Sequence, residues 1–138
     1  MAIAAPLVMG FEGLRHTVYS DPIGIKTYCV GETRNPERRY YSTEECNALL
    51  EGELREKYIP GVEACLRAPA TDRQRVAFYS FAYNLGIGRF CKSIAPVWNA
   101  GDRAGACAKL LRFNTAGGIP LRGLTRRRQA EFDLCSAG

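Results

Sequence analysis

The sequence predicts a mainly helical α+β fold, with a small β-hairpin lobe set into the chain after its first helix. Three observations carry this. Apolar residues recur at helical spacing near the start, alternation of period two flanks a turn over 17–30, and two capping boxes open helical runs further on.

Taken in order, residues 3–14 place Ile3, Leu7, Val8, Phe11 and Leu14 on one helical face, and that helix is expected to stop near Arg15. Thr17–Ser20 then alternates, Asp21-Pro22-Ile23-Gly24 is turn chemistry, and Ile25–Val30 alternates again, which predicts a hairpin. A polar loop covers 31–41. Ser42-Thr43-Glu44-Glu45 is a capping box opening a helix with Cys46, Leu49, Leu50 and Leu54 inward, which Pro60-Gly61 is expected to interrupt. Thr71-Asp72-Arg73-Gln74 is a second box, and its helix carries Val76, Ala77, Phe78, Phe81, Ala82 and Leu85 before Gly86 and Gly88 end it. Ser93 and Asp102 are expected caps of short helices over 94–100 and 103–113. A Gly-rich loop at 116–119 leads to a last helix from about Thr125 to Leu134. The chain of 138 residues is thus expected to be one domain, with a β lobe at 16–41 and a helical lobe at 1–15 and 42–138. A cleft between two such lobes suits an extended substrate.

Composition narrows the function classes. No segment approaches the ~18 uninterrupted apolar residues of a membrane-spanning helix. The apolar opening lacks the basic region of a signal peptide. A net charge of +5 favours anionic partners such as nucleic acid, acidic lipid headgroups or wall polymers. Nucleic-acid binding ranks last, because apart from Arg126-Arg127-Arg128 the basic residues are scattered. The six cysteines, Cys29, Cys46, Cys65, Cys91, Cys107 and Cys135, include no closely spaced pair, and His16 is the only histidine. No metal site is therefore expected. An even count in a small basic chain points to disulfides and an oxidising compartment, with the pairing open.

Two carboxylates stand out. Glu12 lies at the end of an apolar helix and Asp21 in the hairpin turn, so they belong to different elements and can face each other across a gap. Thr27 falls on the return strand, where its hydroxyl can hold a water. Such a set suits glycoside hydrolysis, in which an acid protonates the leaving oxygen and a carboxylate directs water. Burial beside Phe11 and Leu14 would raise the pKa of Glu12 and keep it protonated. On spacing alone, a Glu and an Asp this close in sequence are more often solvated surface charges.

The wider pattern decides between these readings. Phe11-Glu12-Gly13-x₅-Tyr19-x-Asp21-x₂-Gly24-x₂-Thr27-x₃-Gly31-x-Thr33 closely resembles the active-site signature of phage-type lysozymes, glycoside hydrolase family 24. Ser80-Phe-Ala-Tyr-Asn84-Leu-Gly86-Ile-Gly88, Asn99-Ala-Gly101-Asp102, Gly117-Gly118 and Gly123-Leu124-x-Arg126-Arg127-Arg128-x₂-Glu131 continue the likeness over most of the chain. The resemblance implies a lysozyme fold and an endolysin that cuts the β-1,4 bond between N-acetylmuramic acid and N-acetylglucosamine. Glu12 is then the general acid, Asp21 the water-orienting carboxylate and Thr27 the third catalytic position, with no cofactor. It further implies a monomer acting on peptidoglycan in the host periplasm or wall, made in the host cytoplasm from a phage gene. An N-terminal signal-anchor absent from this form is one export route it allows. Cys29 and Glu32 depart from the family's usual Gly and His. A lytic transglycosylase, with a lone acid and an anhydro-sugar product, is the alternative, against which Asp21 and Thr27 argue. A glycan-binding module without activity is the other, against which Glu12 argues.

The remaining residues weigh towards structure. His16 is expected to be a hinge-side or surface imidazole rather than a base. Trp98, Phe78, Phe81 and Tyr83 are expected in the core more than in sugar stacking. Arg126–Arg128 are expected on a solvated face more than on wall polymer or phosphate, although arginines can also anchor to the core through their stems, and Asn84 in a structural role at least as much as a sugar contact. Cys29 lies two residues after Thr27, and so on the same strand face.

Overall fold

In the computed structural model, the residues described are Val8, Gly10, 15–20, 26–29 and 39–138, with His16 the one strand residue of residues 1–38 described as a side chain. Residues 1–55 and 56–138 form two compact units.

In the first unit Val8 and Gly10 are helical and Val8 is buried, as the apolar stripe predicts. The hairpin consists of β1 (Arg15–Ser20) and β2 (Lys26–Cys29), paired antiparallel. The facing pairs are Arg15 with Cys29, Tyr19 with Thr27 and Ser20 with Lys26, and the register shifts between Arg15 and Tyr19. Such an irregularity leaves residues of one strand unmatched and twists the ladder locally. Helix α1 (Thr43–Glu53) starts at the predicted capping box: Ser42 Oγ accepts from the Glu45 amide at 3.1 Å and Glu45 Oε1 accepts from the Ser42 amide at 3.1 Å. Cys46, Leu50 and Leu54 are buried, four residues apart along one face. Leu49, beside them, is only half-buried.

Pro60 does not interrupt the helix. A π turn at Leu54–Tyr58 leads directly into α2 (Ile59–Cys65), with Pro60 in its first turn. There a missing amide donor is harmless, and the wider turn upstream relieves the ring's clash with the carbonyl four residues back. Gly61 is fixed by close approach: a Cβ there would collide with the Ile87 side chain.

The second unit is built round α3 (Asp72–Leu85), opened by the second predicted capping box between Thr71 and Gln74. Residues Val76–Ala82 are all buried, so the helix is enclosed rather than amphipathic. Gly86, at φ 102°, ends it in a conformation a side chain would disfavour. The chain continues through α4 (Ile87–Arg89), a second π turn at Phe90–Ile94 and α5 (Ala95–Asn99). Ser93 lies inside that π turn and caps nothing, because helical structure is already under way before it. Asp102 does cap α6 (Arg103–Leu110), accepting from the Gly105 amide at 2.8 Å. The 116–119 loop belongs to a short hairpin, β3 (Thr115–Ala116) and β4 (Ile119–Pro120), turning on Gly117 and Gly118 with both φ positive. The last helix, α7 (Arg122–Ala137), is longer at both ends than expected.

Phe78 is the centre of the aromatic core, with Trp98 edge-on at 5.1 Å and Phe90 at 5.1 Å, while Phe81 meets Phe113 at 5.1 Å. Phe78, Phe81 and Trp98 are buried, as the core reading expects; Tyr83 is half-buried beside Tyr58. Asn99 ties this core to the end of α2: its Oδ1 accepts from the Arg67 and Ala68 amides, and its Nδ2 donates to the Cys65 carbonyl at 2.8 Å.

Two disulfides close the second unit, Cys65–Cys91 and Cys107–Cys135, with Cα separations of 5.7 and 5.6 Å. They span 26 and 28 residues. Loops of that length imply about 3–4 kcal/mol each from denatured-state entropy. Replacing either pair by alanines is expected to lower the denaturant midpoint accordingly; an unchanged midpoint in chemical unfolding would count against this.

Candidate active site

Of the three residues the sequence assigns to catalysis, Glu12 and Asp21 lie outside the described residues. Thr27 is described through its backbone. It sits in β2 facing Tyr19, one pair from the Ser20–Lys26 pair that bounds the segment 21–25. The hairpin expected to carry the site is therefore present, with Thr27 at the second paired position of the return strand.

The base of this hairpin is fixed to the chain just before α1. The Tyr41 amide donates to the His16 carbonyl at 2.5 Å, and His16 Nδ1 lies 2.6 Å from the Tyr41 carbonyl. A carbonyl only accepts, so Nδ1 must carry a proton. The imidazole also stacks on Tyr40, with ring centroids 4.8 Å apart and 12° between planes. His16 is thus a structural pin, consistent with the hinge-side reading. Next to it, Arg39 Nη2 donates to Glu45 Oε2 at 2.7 Å. That bond first, and the Ser42 amide second, lower the Glu45 carboxyl to about 2.

In the second unit the structure brings Ser80 of α3 to Arg127, Arg128 and Glu131 of α7. Ser80, Arg127, Arg128 and Glu131 are all buried, Glu131 with no exposed surface. Glu131 Oε2 accepts from Ser80 Oγ at 2.6 Å and from Arg128 Nη2 at 2.8 Å, with Arg127 Nε at 3.4 Å. Arg128 Nε and Glu131 Oε1 are 2.7 Å apart in an ion contact that falls short of hydrogen-bond geometry. Arg127 Nη2 also donates to the Ser80 carbonyl at 2.9 Å. Burial pushes the Glu131 carboxyl above its ordinary value, and Arg128, Ser80 and Arg127 pull against that rise.

This corrects the expectation of a solvated arginine face. Only Arg126 is exposed, because Arg127 and Arg128 stand four and three residues before Glu131 and turn inward with it. That spacing was the available signal. Asn84, near the end of α3, is half-buried, and its Oδ1 has no hydrogen-bond partner among the described residues. No cluster of metal-ligating side chains occurs among the described residues. No helix among them is long and apolar enough to cross a membrane.

The family model "Phage lysozyme" matches residues 9–131. The SAR-endolysin of Bacteriophage PS119 is 35% identical over 147 aligned residues, covering 100% of this chain and 87% of that protein. The SAR-endolysin of Escherichia phage Mu is 38% identical over 125, covering 89% and 72%. Among solved structures, the muramidase domain of SpmX from Asticaccaulis excentricus superposes with a TM-score of 0.89 at 28% identity, covering 97% of this chain and 95% of that one.

Two outcomes follow from the geometry. Glu131→Ala leaves two buried guanidiniums without their carboxylate and is expected to destabilise the fold by about 3–5 kcal/mol; a loss under 1 kcal/mol in urea unfolding (roughly the value of an exposed pair) would contradict the network's role. The Glu45 contribution, for its part, is present above the ordinary carboxyl range and fades as pH falls through about 2. NMR titration of Glu45 should show that midpoint, and Arg39→Ala should move it up towards 4.5. A midpoint indifferent to Arg39 would refute the cause given.

Proposed function

The chain belongs to the phage lysozyme family, and on that premise we propose that it is an endolysin hydrolysing the β-1,4 bond between N-acetylmuramic acid and N-acetylglucosamine in peptidoglycan. The observation that carries this is the family match over residues 9–131, which spans Glu12, Asp21 and Thr27. The hairpin supports it by setting Thr27 one pair beyond Ser20 and Lys26. The target is the host cell wall, reached on the periplasmic side by a monomer made in the host cytoplasm.

In the proposed reaction Glu12 gives its proton to the glycosidic oxygen as the bond to the muramic acid C1 breaks. Asp21 and Thr27 hold a water on the opposite face; its oxygen bonds to C1 and Asp21 takes its proton. A second proton exchange with solvent restores both carboxyls. Water placed between two carboxyls requires them about 6.5–9.5 Å apart and gives inversion at C1.

Glu12→Gln keeps the shape but not the transferable proton, so glycan cleavage is expected to fall by ~10²–10⁴ with the fold intact. Near-normal clearing of cells by a folded Glu12→Gln protein would remove Glu12 from this role. Fast NMR on soluble peptidoglycan fragments should first show an α-anomer with a normal reducing end. A β-anomer would exclude inversion, and a 1,6-anhydro end would convert the reading to a lytic transglycosylase.

A further inference from the structure

Cys46 is fully buried in α1 and is disulfide-bonded. Four of the chain's six cysteines pair with one another in the second unit. Within one chain, Cys29 is then the partner that remains.

The backbone leads to the same pair independently. Cys29 ends β2 and faces Arg15 in β1. The next residue, His16, exchanges two bonds with Tyr41. Tyr41 adjoins Ser42, whose carbonyl accepts from the Cys46 amide at 3.0 Å. Facing Cα atoms in an antiparallel pair are only about 4.5–5.5 Å apart. The ladder, the His16–Tyr41 bridge and the first turn of α1 therefore bring positions 29 and 46 into one neighbourhood.

We propose that Cys29 and Cys46 form a third disulfide, which ties the strand carrying Thr27 to helix α1 and positions it for the reaction proposed above. The bond forms by exchange with a disulfide oxidant of the oxidising compartment: the two thiols lose two electrons and two protons, and the oxidant's disulfide becomes a dithiol. Its place suits the role. The register slip between Arg15 and Tyr19 divides the ladder into one pair at the base and two near the tip. A covalent tie at the base fixes β2 to α1 two residues from Thr27. Cys29 and Cys46 act through Thr27 and touch no substrate.

This positioning role rests on the lysozyme reading; the pairing does not, and the two are tested separately. Trypsin digestion without reductant is expected to yield residues 27–34 joined to residues 40–55, separating on reduction. Both peptides recovered as alkylated thiols, or Cys46 joined to another cysteine, would overturn the pairing. The double variant Cys29→Ala/Cys46→Ala, checked for folding by circular dichroism, is expected to lose roughly tenfold or more in kcat. Its KM on soluble glycan should stay within about threefold, because a misplaced catalytic group acts on the chemical step. Unchanged kcat overturns the positioning role, as does a loss confined to KM. A wild-type protein that yields the joined peptides yet cuts no glycan overturns the lysozyme reading alone.

Discussion

Glu131 is a carboxylate with no contact with water, and its donors come from two helices. Removing such a charge from solvent is costly, and Coulomb attraction offsets the cost only when donors are held in good geometry. Ser80 approaches from α3, while Arg127 and Arg128 approach from within α7. The pairing therefore sets where along α3 the last helix must lie. Once α7 is seated, the Cys107–Cys135 bond ties α6 to it, and Gln74 Nε2 donates to the Cys135 carbonyl near the other end of α3. In this setting Val76–Ala82 of α3 are all buried.

The two π turns answer a related constraint. Each immediately precedes a helix with proline in its first turn, Pro60 in α2 and Pro96 in α5. A proline in a continuous helix lacks one donor and crowds the carbonyl four residues earlier. Widening the preceding turn shifts the hydrogen-bond register, so the chain keeps its direction instead of breaking. Cys65, at the end of α2, bonds to Cys91 inside the second π turn, so the two adjusted segments are joined covalently.

These cases show what the sequence made legible. Capping boxes at Ser42 and Thr71 are local, reciprocal hydrogen bonds, and both appeared where the residues placed them. The hairpin was legible because alternation and turn chemistry agree. What escaped depends on partners distant in sequence or on compensation between neighbours. Arg127 and Arg128 look like surface residues until Ser80, some 47 positions away, is brought beside them. Pro60 looks like a break until the turn before it is seen to widen. Of the proposed site, the chemistry of Glu12, Asp21 and Thr27 came from residue types and family pattern, and the strand register of Thr27 came from the structure.

The same bookkeeping narrows which groups are free to do acid–base chemistry. Near neutral pH an enzyme ordinarily turns to histidine, the side chain whose unperturbed pKa lies there. This chain has one, and His16 is committed through Nδ1 to the Tyr41 carbonyl and through its ring face to Tyr40. Thiolates are excluded as well among the described residues, where no cysteine is free. In the reaction proposed above, proton transfer falls to carboxyls instead. Among the described acids the most buried, Glu131, is enclosed by its own donors and has no surface from which to meet a substrate. The proposed reaction assigns its two roles to Glu12 and Asp21, and those roles require one carboxyl protonated and the other ionised.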